Sequence, residues 1–313
     1  MKKRTLGRSD IKVAPIAFGG NVFGWTLDEK ASFAILDAFV DAGFNFIDTA
    51  DTYSRWAPGN EGGESETILG NWMKLRKNRD SVIIATKVGG DMGQGKKGDL
   101  SPDHIRHSVE NSLKRLKTDY IDLYQSHYDD ADTAIGETLE VYSGLVQQGK
   151  VRLIGASNFS AGRLERSLEV SKEHGFPQYQ TLQPLYNLYD REAFEKELEP
   201  VCAAHSIGVL PYYSLASGFL TGKYRSEADL NKSVRGAGNK KYLNDRGMAI
   251  LNALDQVSLR YDSTPASIAL AWLLAQPSVV APIASATSLS HVESLIKATE
   301  IQLDKESIVQ LTC

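Results

Sequence analysis

The chain has 313 residues, 42% of them hydrophobic and 24% charged, with a formal net charge of -4; this composition excludes a disordered or fibrous chain, and the length fits one large domain or two ordinary ones. The acidic balance argues against a nucleic-acid or anionic-membrane surface, and no apolar run approaches the roughly 20 residues needed to cross a bilayer. Two cysteines, Cys202 and Cys313, give neither a disulfide framework nor metal-ligand spacing, and the basic start "MKKRTLGRSDIKV" has no apolar run behind it, so a reducing cytoplasmic setting is expected.

The opening "KKRTLGRSDIKV" reads as two short strands around a Gly-Arg-Ser-Asp turn, a hairpin. An apolar run at 15–18 predicts a strand, and 29–42 a helix closed by Gly43. Further strands are predicted at 45–47 and 82–86. The stretch "SPDHIRHSVENSLKRL" predicts a helix with Ser101 as N-cap and Pro102 at the first position, its Ile105, Val109, Leu113 and Leu116 on one face. A strand at 121–125 precedes the helix of "TAIGETLEVYSGLVQQGK", which carries Leu139, Tyr142 and Val146 on a stripe and stops at Gly149. Strands follow at 153–156, 181–183 and 209–211, then a helix from Pro265 to Pro277 that looks buried on most sides, then a strand at 279–283.

Eight short strands alternating with helices predict a (β/α)8 barrel of parallel strands, with the hairpin closing its bottom; a doubly wound open sheet is the competing topology. No linker or low-complexity segment divides residues 1–313, so one domain is expected.

In such barrels chemistry sits at the C-terminal strand ends. Strand two presents Asp48 and then Tyr53, strand three Lys87, strand four His127. Strand five presents Ser157 and Asn158, strand six Gln183, strand seven Tyr212, and strand eight Ser285 and Thr287. Each has an ordinary alternative. Asp48 and Asp51 suit a turn, Tyr53 an apolar edge, Lys87 a solvated charge and His127 a loop. Their joint occurrence on consecutive units is what points to a site. Two other features carry less. "FGGNVFG" is not a GxGxxG dinucleotide loop, and His104 with His107 lacks a third zinc ligand.

The segments "AGFNFIDTADTYS", "IIATKVG", "DYIDLYQSH", "LVQQGKVRLIGASNFS", "QPLYNL" and "LASGFLTGKYR" resemble, in order and separation, those of the aldo-keto reductase superfamily. The resemblance spans essentially the whole chain. It implies the same barrel and the reduction of aldehydes or ketones with NADPH, reversible as alcohol oxidation. Asp48, Tyr53, Lys87 and His127 match the family's catalytic tetrad. In that assignment Tyr53 donates the proton, Lys87 lowers its pKa, Asp48 holds the lysine, and His127 orients the substrate oxygen.

For the cofactor, Ser157, Asn158 and Gln183 offer donors and acceptors to the carboxamide. Tyr212 occupies the stacking position, although Tyr213 stands where serine is more usual and the stack could fall there. Ser214, Leu215, Gly222, Lys223 and Arg225 continue the cofactor segment. The loop to Arg246 adds Lys232, Arg235, Lys240 and Lys241, and either folds over the pyrophosphate or is a solvated mobile loop. Ser285, Thr287 and His291 remain for the 2′-phosphate, but Ser294 and Leu295 replace the family's Glu-Asn pair. NADPH is therefore the first expectation, with NADH or dual use as the alternative.

Phe23, Trp25, Trp56 and Tyr128 are expected at the substrate mouth, and "GGDMGQGKKGD" either shapes access or is a solvent tip. A small-molecule carbonyl compound is the expected partner; no metal, nucleic acid or membrane is implied, and oligomeric state is not read. Two other functions stay open. One is a cofactor-holding, redox-sensing accessory subunit with slow turnover, a role that relatives of this fold serve. The other is an unrelated barrel enzyme with no nicotinamide binding.

Overall fold

The computed structural model describes every residue except Gln94, Lys96 and Cys313. Strands β1 (Arg4–Thr5) and β2 (Lys12–Val13) pair antiparallel as the predicted hairpin. Its turn requires Gly7, which has φ +54°, and a Cβ there would stand 2.2 Å from the carbonyl oxygen of Gln180. Leu6, Ile11 and Val13 of the hairpin pack with Ala17, Phe46, Ala85 and Leu123 from the barrel strands, so the bottom of the barrel is plugged by side chains. The Arg4 guanidinium anchors the hairpin by donating to the carbonyls of Val279 (2.6 Å) and Leu274 (2.8 Å).

The barrel strands are β3 (Ala17–Gly19), β4 (Phe46–Asp48), β5 (Ile83–Val88), β6 (Ile121–Ser126), β7 (Val151–Ser157), β8 (Thr181–Gln183), β9 (Gly208–Val209) and β10 (Ile283–Ala284). Each lies parallel to its neighbours in sequence, and β10 returns beside β3. A doubly wound sheet needs the strand order to reverse, so that topology is excluded. Hydrogen bonds from Val209 N to Ser278 O, Val280 N to Val209 O and Ile283 N to Pro211 O, each 2.9 Å, join the last segments and close the ring.

The helices are α1 (Glu29–Asp41), α2 (Glu64–Arg76), α3 (Pro102–Leu116), α4 (Ile135–Gln147), α5 (Ala161–His174), α6 (Glu199–His205), α7 (Asp245–Arg260), α8 (Pro265–Leu274), α9 (Leu289–Glu300) and α10 (Lys305–Thr312). Helix α3 buries the predicted face of Ile105, Val109, Leu113 and Leu116. Ser101 precedes it with extended backbone but makes no cap; its hydroxyl donates to Asp99 instead, at 2.7 Å. Helix α8 buries every residue from Ser267 to Leu273, which accounts for its apolar sequence.

The basic stretch after β9 is folded against the barrel in 3₁₀ turns at Ala216–Thr221, Glu227–Lys232 and Gly236–Tyr242. Buried Asn239 ties it down by donating to the carbonyls of Ser217 (3.3 Å) and Arg235 (3.0 Å). No helix among the described residues is long and apolar enough to cross a membrane. Gln94 and Lys96 of the predicted access loop, and Cys313, lie outside the described residues.

Candidate active site

Strand register builds the centre of the site. Asp48 ends β4 opposite Ala85, and Lys87 lies two residues further along β5, on the same inward face. Both side chains are fully buried. Lys87 Nζ donates to Asp48 Oδ2 (2.7 Å), Thr49 O (2.8 Å) and Tyr53 Oη (2.9 Å). Three acceptors use all three protons of an ammonium group, which is the form this environment is built for. Asp48 Oδ1 accepts from Gln183 Nε2 (2.9 Å) and Gln125 Nε2 (3.2 Å), while Tyr53 Oη donates to Asp48 Oδ2 at 3.2 Å. The carboxylate is thus held on both oxygens, and the turn beginning at Thr49 returns the phenol over the lysine.

Burial, followed by the negative charge of Asp48, holds the Tyr53 pKa well above that of an ordinary phenol. This corrects the expected direction. Burial and Asp48 outweigh the neighbouring ammonium, and the resting phenol stays protonated. Burial likewise draws Lys87 below the usual lysine value, against the opposing pull of Asp48, Asp51 and Glu66.

His127 follows β6, its ring centroid 6.2 Å from that of Tyr53 and stacked 4.9 Å from Tyr128. Burial, then the charges of Lys87 and Lys97, hold its pKa well below normal, so the imidazole is neutral at pH 7. Its Nδ1 is buried without a partner among the described residues.

Asp51 is far more than a turn former on the surface, being 2% exposed with Oδ1 unpartnered among the described residues. Glu66 lies nearby, held by Thr86 (2.5 Å) and Arg115 (2.6 Å). Burial and the Glu66 charge push the Asp51 carboxyl up to about 8. The unfolded chain ionises this group near 3.8 whereas the native state keeps its proton to about 8, so stability falls as pH rises through that window. Asp51→Asn should flatten the slope and raise stability at pH 8 by on the order of 5 kcal/mol, with little gain at pH 4. Urea unfolding at the two pH values checks this.

The strand ends surround a cavity of about 980 Å³ lined by Tyr53, His127, Tyr128, Ser157, Asn158 and Gln183, among others. Ser157 Oγ donates to Gln183 O (2.9 Å). Asn158, at φ +57°, donates to His127 O (2.9 Å) and accepts from the Tyr212 hydroxyl (2.9 Å). Tyr212 is therefore fixed and half-buried. Tyr213 stands edge-on to it at 5.4 Å and is 52% exposed; both line the cavity. Ser214, whose hydroxyl donates to Pro211 O (3.0 Å), Leu215 and Lys223 line it too.

Gly222 and Arg225 do not. Arg225 is spent on Gly222 O (2.9 Å) and Asp255 (2.7 Å), so the structure sets its guanidinium apart from the cavity. Ser285, Thr287 and His291 line the far end with Ser294 and Leu295, at the start of α9. His291 Nδ1 lies 3.3 Å from both the amide and the hydroxyl of Thr287.

At the mouth, Trp56 and Tyr128 line the cavity, and Trp25 packs edge-on against Trp56 at 5.6 Å without lining it. Phe23 is placed elsewhere. It is fully buried and stacked 5.2 Å from Phe18, because the loop after β3 turns its apolar side inward. Sequence reasoning left Gln125 and Asn21 unassigned and did not single out Arg235 from its basic loop. Asn21 satisfies its neighbours when its amide nitrogen donates to Ser285 Oγ (2.7 Å) and its oxygen accepts from Arg235 (3.1 Å). Gln125 carried a usable signal, a polar side chain inside an apolar strand run. Arg235 carried none, since its guanidinium contacts, Asn21 and the Trp25 ring, lie far away in the sequence. Among the described residues no group of three or more His, Cys, Asp or Glu could hold a metal ion.

The mouth of this parallel barrel thus holds a phenol between a buried Asp–Lys pair and a neutral imidazole. Residues 15–312 match the family model described as the Aldo/keto reductase family; the chain belongs to that family and is an oxidoreductase. It is 35% identical to "Uncharacterized oxidoreductase YrpG" of Bacillus subtilis (99% of this chain, 95% of the relative) and 36% identical to "Aldo-keto reductase YhdN" of the same organism (95% and 87%). It is 33% identical to "Probable voltage-gated potassium channel subunit beta" of Arabidopsis thaliana (99% and 97%).

Proposed function

We propose that the protein reduces aldehydes or ketones to alcohols with NADPH, reversibly, and that Tyr53 supplies the proton. The carrying observation is the Lys87 ammonium, 2.7 Å from Asp48 and 2.9 Å from the Tyr53 hydroxyl. When substrate enters, the phenol turns its proton from Asp48 to the carbonyl oxygen. The phenolate left behind keeps the lysine hydrogen bond, which strengthens as charge develops. A neutral imidazole carries one N–H, and His127 uses it to orient the same oxygen.

The residues present fit a dinucleotide. The amides and hydroxyls of Ser157, Asn158 and Gln183 gather beside Tyr53, and Tyr212 or its neighbour Tyr213 offers a flat face. Farther along, Lys223 and Arg235 line the cavity without an ion pair among the described residues, which suits phosphates. Bound there, the nicotinamide would supply the hydride. Fluorescence titration should show NADPH binding about tenfold more tightly than NADH, since only the former offers a further phosphate to Lys223, Arg235 and the start of α9. Equal affinities overturn the preference, and binding of neither overturns the reading.

The name of the Arabidopsis relative supports a second reading, a cofactor-holding accessory subunit with slow turnover. The complete tetrad favours the enzyme. Steady-state oxidation of NADPH with aromatic aldehydes and diketones separates the two, because tight binding without turnover is the accessory outcome.

A further inference from the structure

Several cations of this molecule are neutralised by a neighbouring acid: Arg76 bonds Asp37, Arg163 bonds Asp129, and Arg225 bonds Asp255 at 2.6–2.7 Å. The large cavity gathers cations that are not. Arg55, Lys97, Lys223 and Arg235 all line it, and among the described residues none of them makes an ion pair. The sole carboxylate among the described lining residues is Asp91, whose Oδ1 accepts from the backbone amides of Gly93 (2.8 Å) and Gly95 (3.0 Å). A net-acidic chain has therefore collected uncompensated positive charge at one concave place, which is the electrostatic signature of an anionic ligand.

Dinucleotide phosphates account for only part of it. Lys223 stands toward the end marked by His291, whose pKa is lowered in part by the Lys223 charge. Arg235 stands between the two ends, bonding Asn21 on one side and lying 5.0 Å over the ring of Trp25 on the other. Arg55 and Lys97 belong to the opposite, substrate side. Arg55 follows Tyr53 by two residues, and its guanidinium lies against the backbone of Gly93. A Cβ at Gly93 would stand 2.5 Å from Arg55 Nη2, so the close approach of the two loops depends on that glycine. Lys97 Nζ sits 4.9 Å above the ring of Tyr128, which stacks on His127. Two unpaired cations thus rim an aromatic chamber formed by Tyr53, Trp56 and Tyr128, beside the phenol and imidazole that would meet the carbonyl.

Resting on the reductase reading above, we infer that the enzyme selects carbonyl compounds carrying a carboxylate, with Arg55 and Lys97 holding that carboxylate while Tyr53 meets the carbonyl. The guanidinium fork matches a carboxylate in plane, and the ammonium adds a point charge. Aromatic walls exclude water and strengthen both attractions. The two groups are specificity residues rather than catalytic ones, and their effect belongs in KM.

The test compares 4-carboxybenzaldehyde with its neutral methyl ester, methyl 4-formylbenzoate, using NADPH at low salt. The ester is the more electrophilic aldehyde, so preference for the acid cannot arise from intrinsic reactivity. The acid is expected to show a kcat/KM at least about tenfold higher, through KM, with the ratio falling as salt is raised. In Arg55→Gln/Lys97→Gln the ratio should approach one. Because each preparation is its own control, partial loss of folded protein leaves the ratio intact. Equal wild-type values, or a ratio unmoved by the double substitution, overturn the clamp and leave the reductase reading standing. Absence of turnover with either aldehyde overturns both.

Discussion

Tyr53→Phe is expected to lower kcat for aldehyde reduction by about 10³-fold while leaving NADPH affinity nearly unchanged. The substitution removes one oxygen. That oxygen is the acceptor of the Lys87 hydrogen bond at 2.9 Å and the donor to Asp48 at 3.2 Å. The lysine retains Asp48 and Thr49 O, so the buried pair survives and the fold should hold. The ring keeps its packing against Trp56. What is lost is the proton donor and the site at which developing negative charge meets the ammonium. Single-turnover kinetics, with cofactor binding followed by fluorescence, separate a chemical defect from a binding one. Near-full turnover would remove Tyr53 from the mechanism.

Lys87→Met should cost both activity and stability. The Asp48 carboxylate would be left buried with only neutral partners, the amides of Gln125 and Gln183 and the Tyr53 hydroxyl. Breaking a buried pair on one side typically costs about 3–5 kcal/mol. The uncompensated buried charge, rather than a lost contact, carries that cost. Adding Asp48→Asn removes the stranded charge. The double variant should regain much of the stability and none of the activity, which a structural role alone would not produce. Urea unfolding of both variants, beside their turnover, makes the measurement. A single variant as stable as the parent would show that the pair is not what holds Asp48.

Sequence made the barrel legible because strand–helix alternation is a periodic signal and the chain repeats it. Its edges were less so. The strand at 82–86 extends as β5 to Val88, which carries Lys87 inside the barrel wall rather than just beyond it. Helix α2 gave a weak pattern because Ser65 and Glu66 are buried alongside Ile68, Leu69 and Trp72. Motif order singled out Tyr53 and the three side chains around it. It did not give the electrostatics, because pKa direction depends on how far water is excluded, and exclusion is a property of the packed barrel. The same reason hid Asp51, which looks like any turn aspartate until Glu66 arrives beside it from α2. Phe23 was misplaced because a loop aromatic can face the mouth or the core, and the sequence marks neither.

The central claim is that this cavity reduces a carbonyl carbon using a nicotinamide held beside Tyr53. Its most direct test is reduction of an aromatic aldehyde with NADPH carrying deuterium at both C4 positions of the nicotinamide, followed by mass spectrometry of the alcohol. The account predicts one deuterium at the carbinol carbon for each cofactor oxidised, and almost none of that product from Tyr53→Phe. Unlabelled alcohol, or cofactor that stays reduced in the presence of substrate, would contradict it.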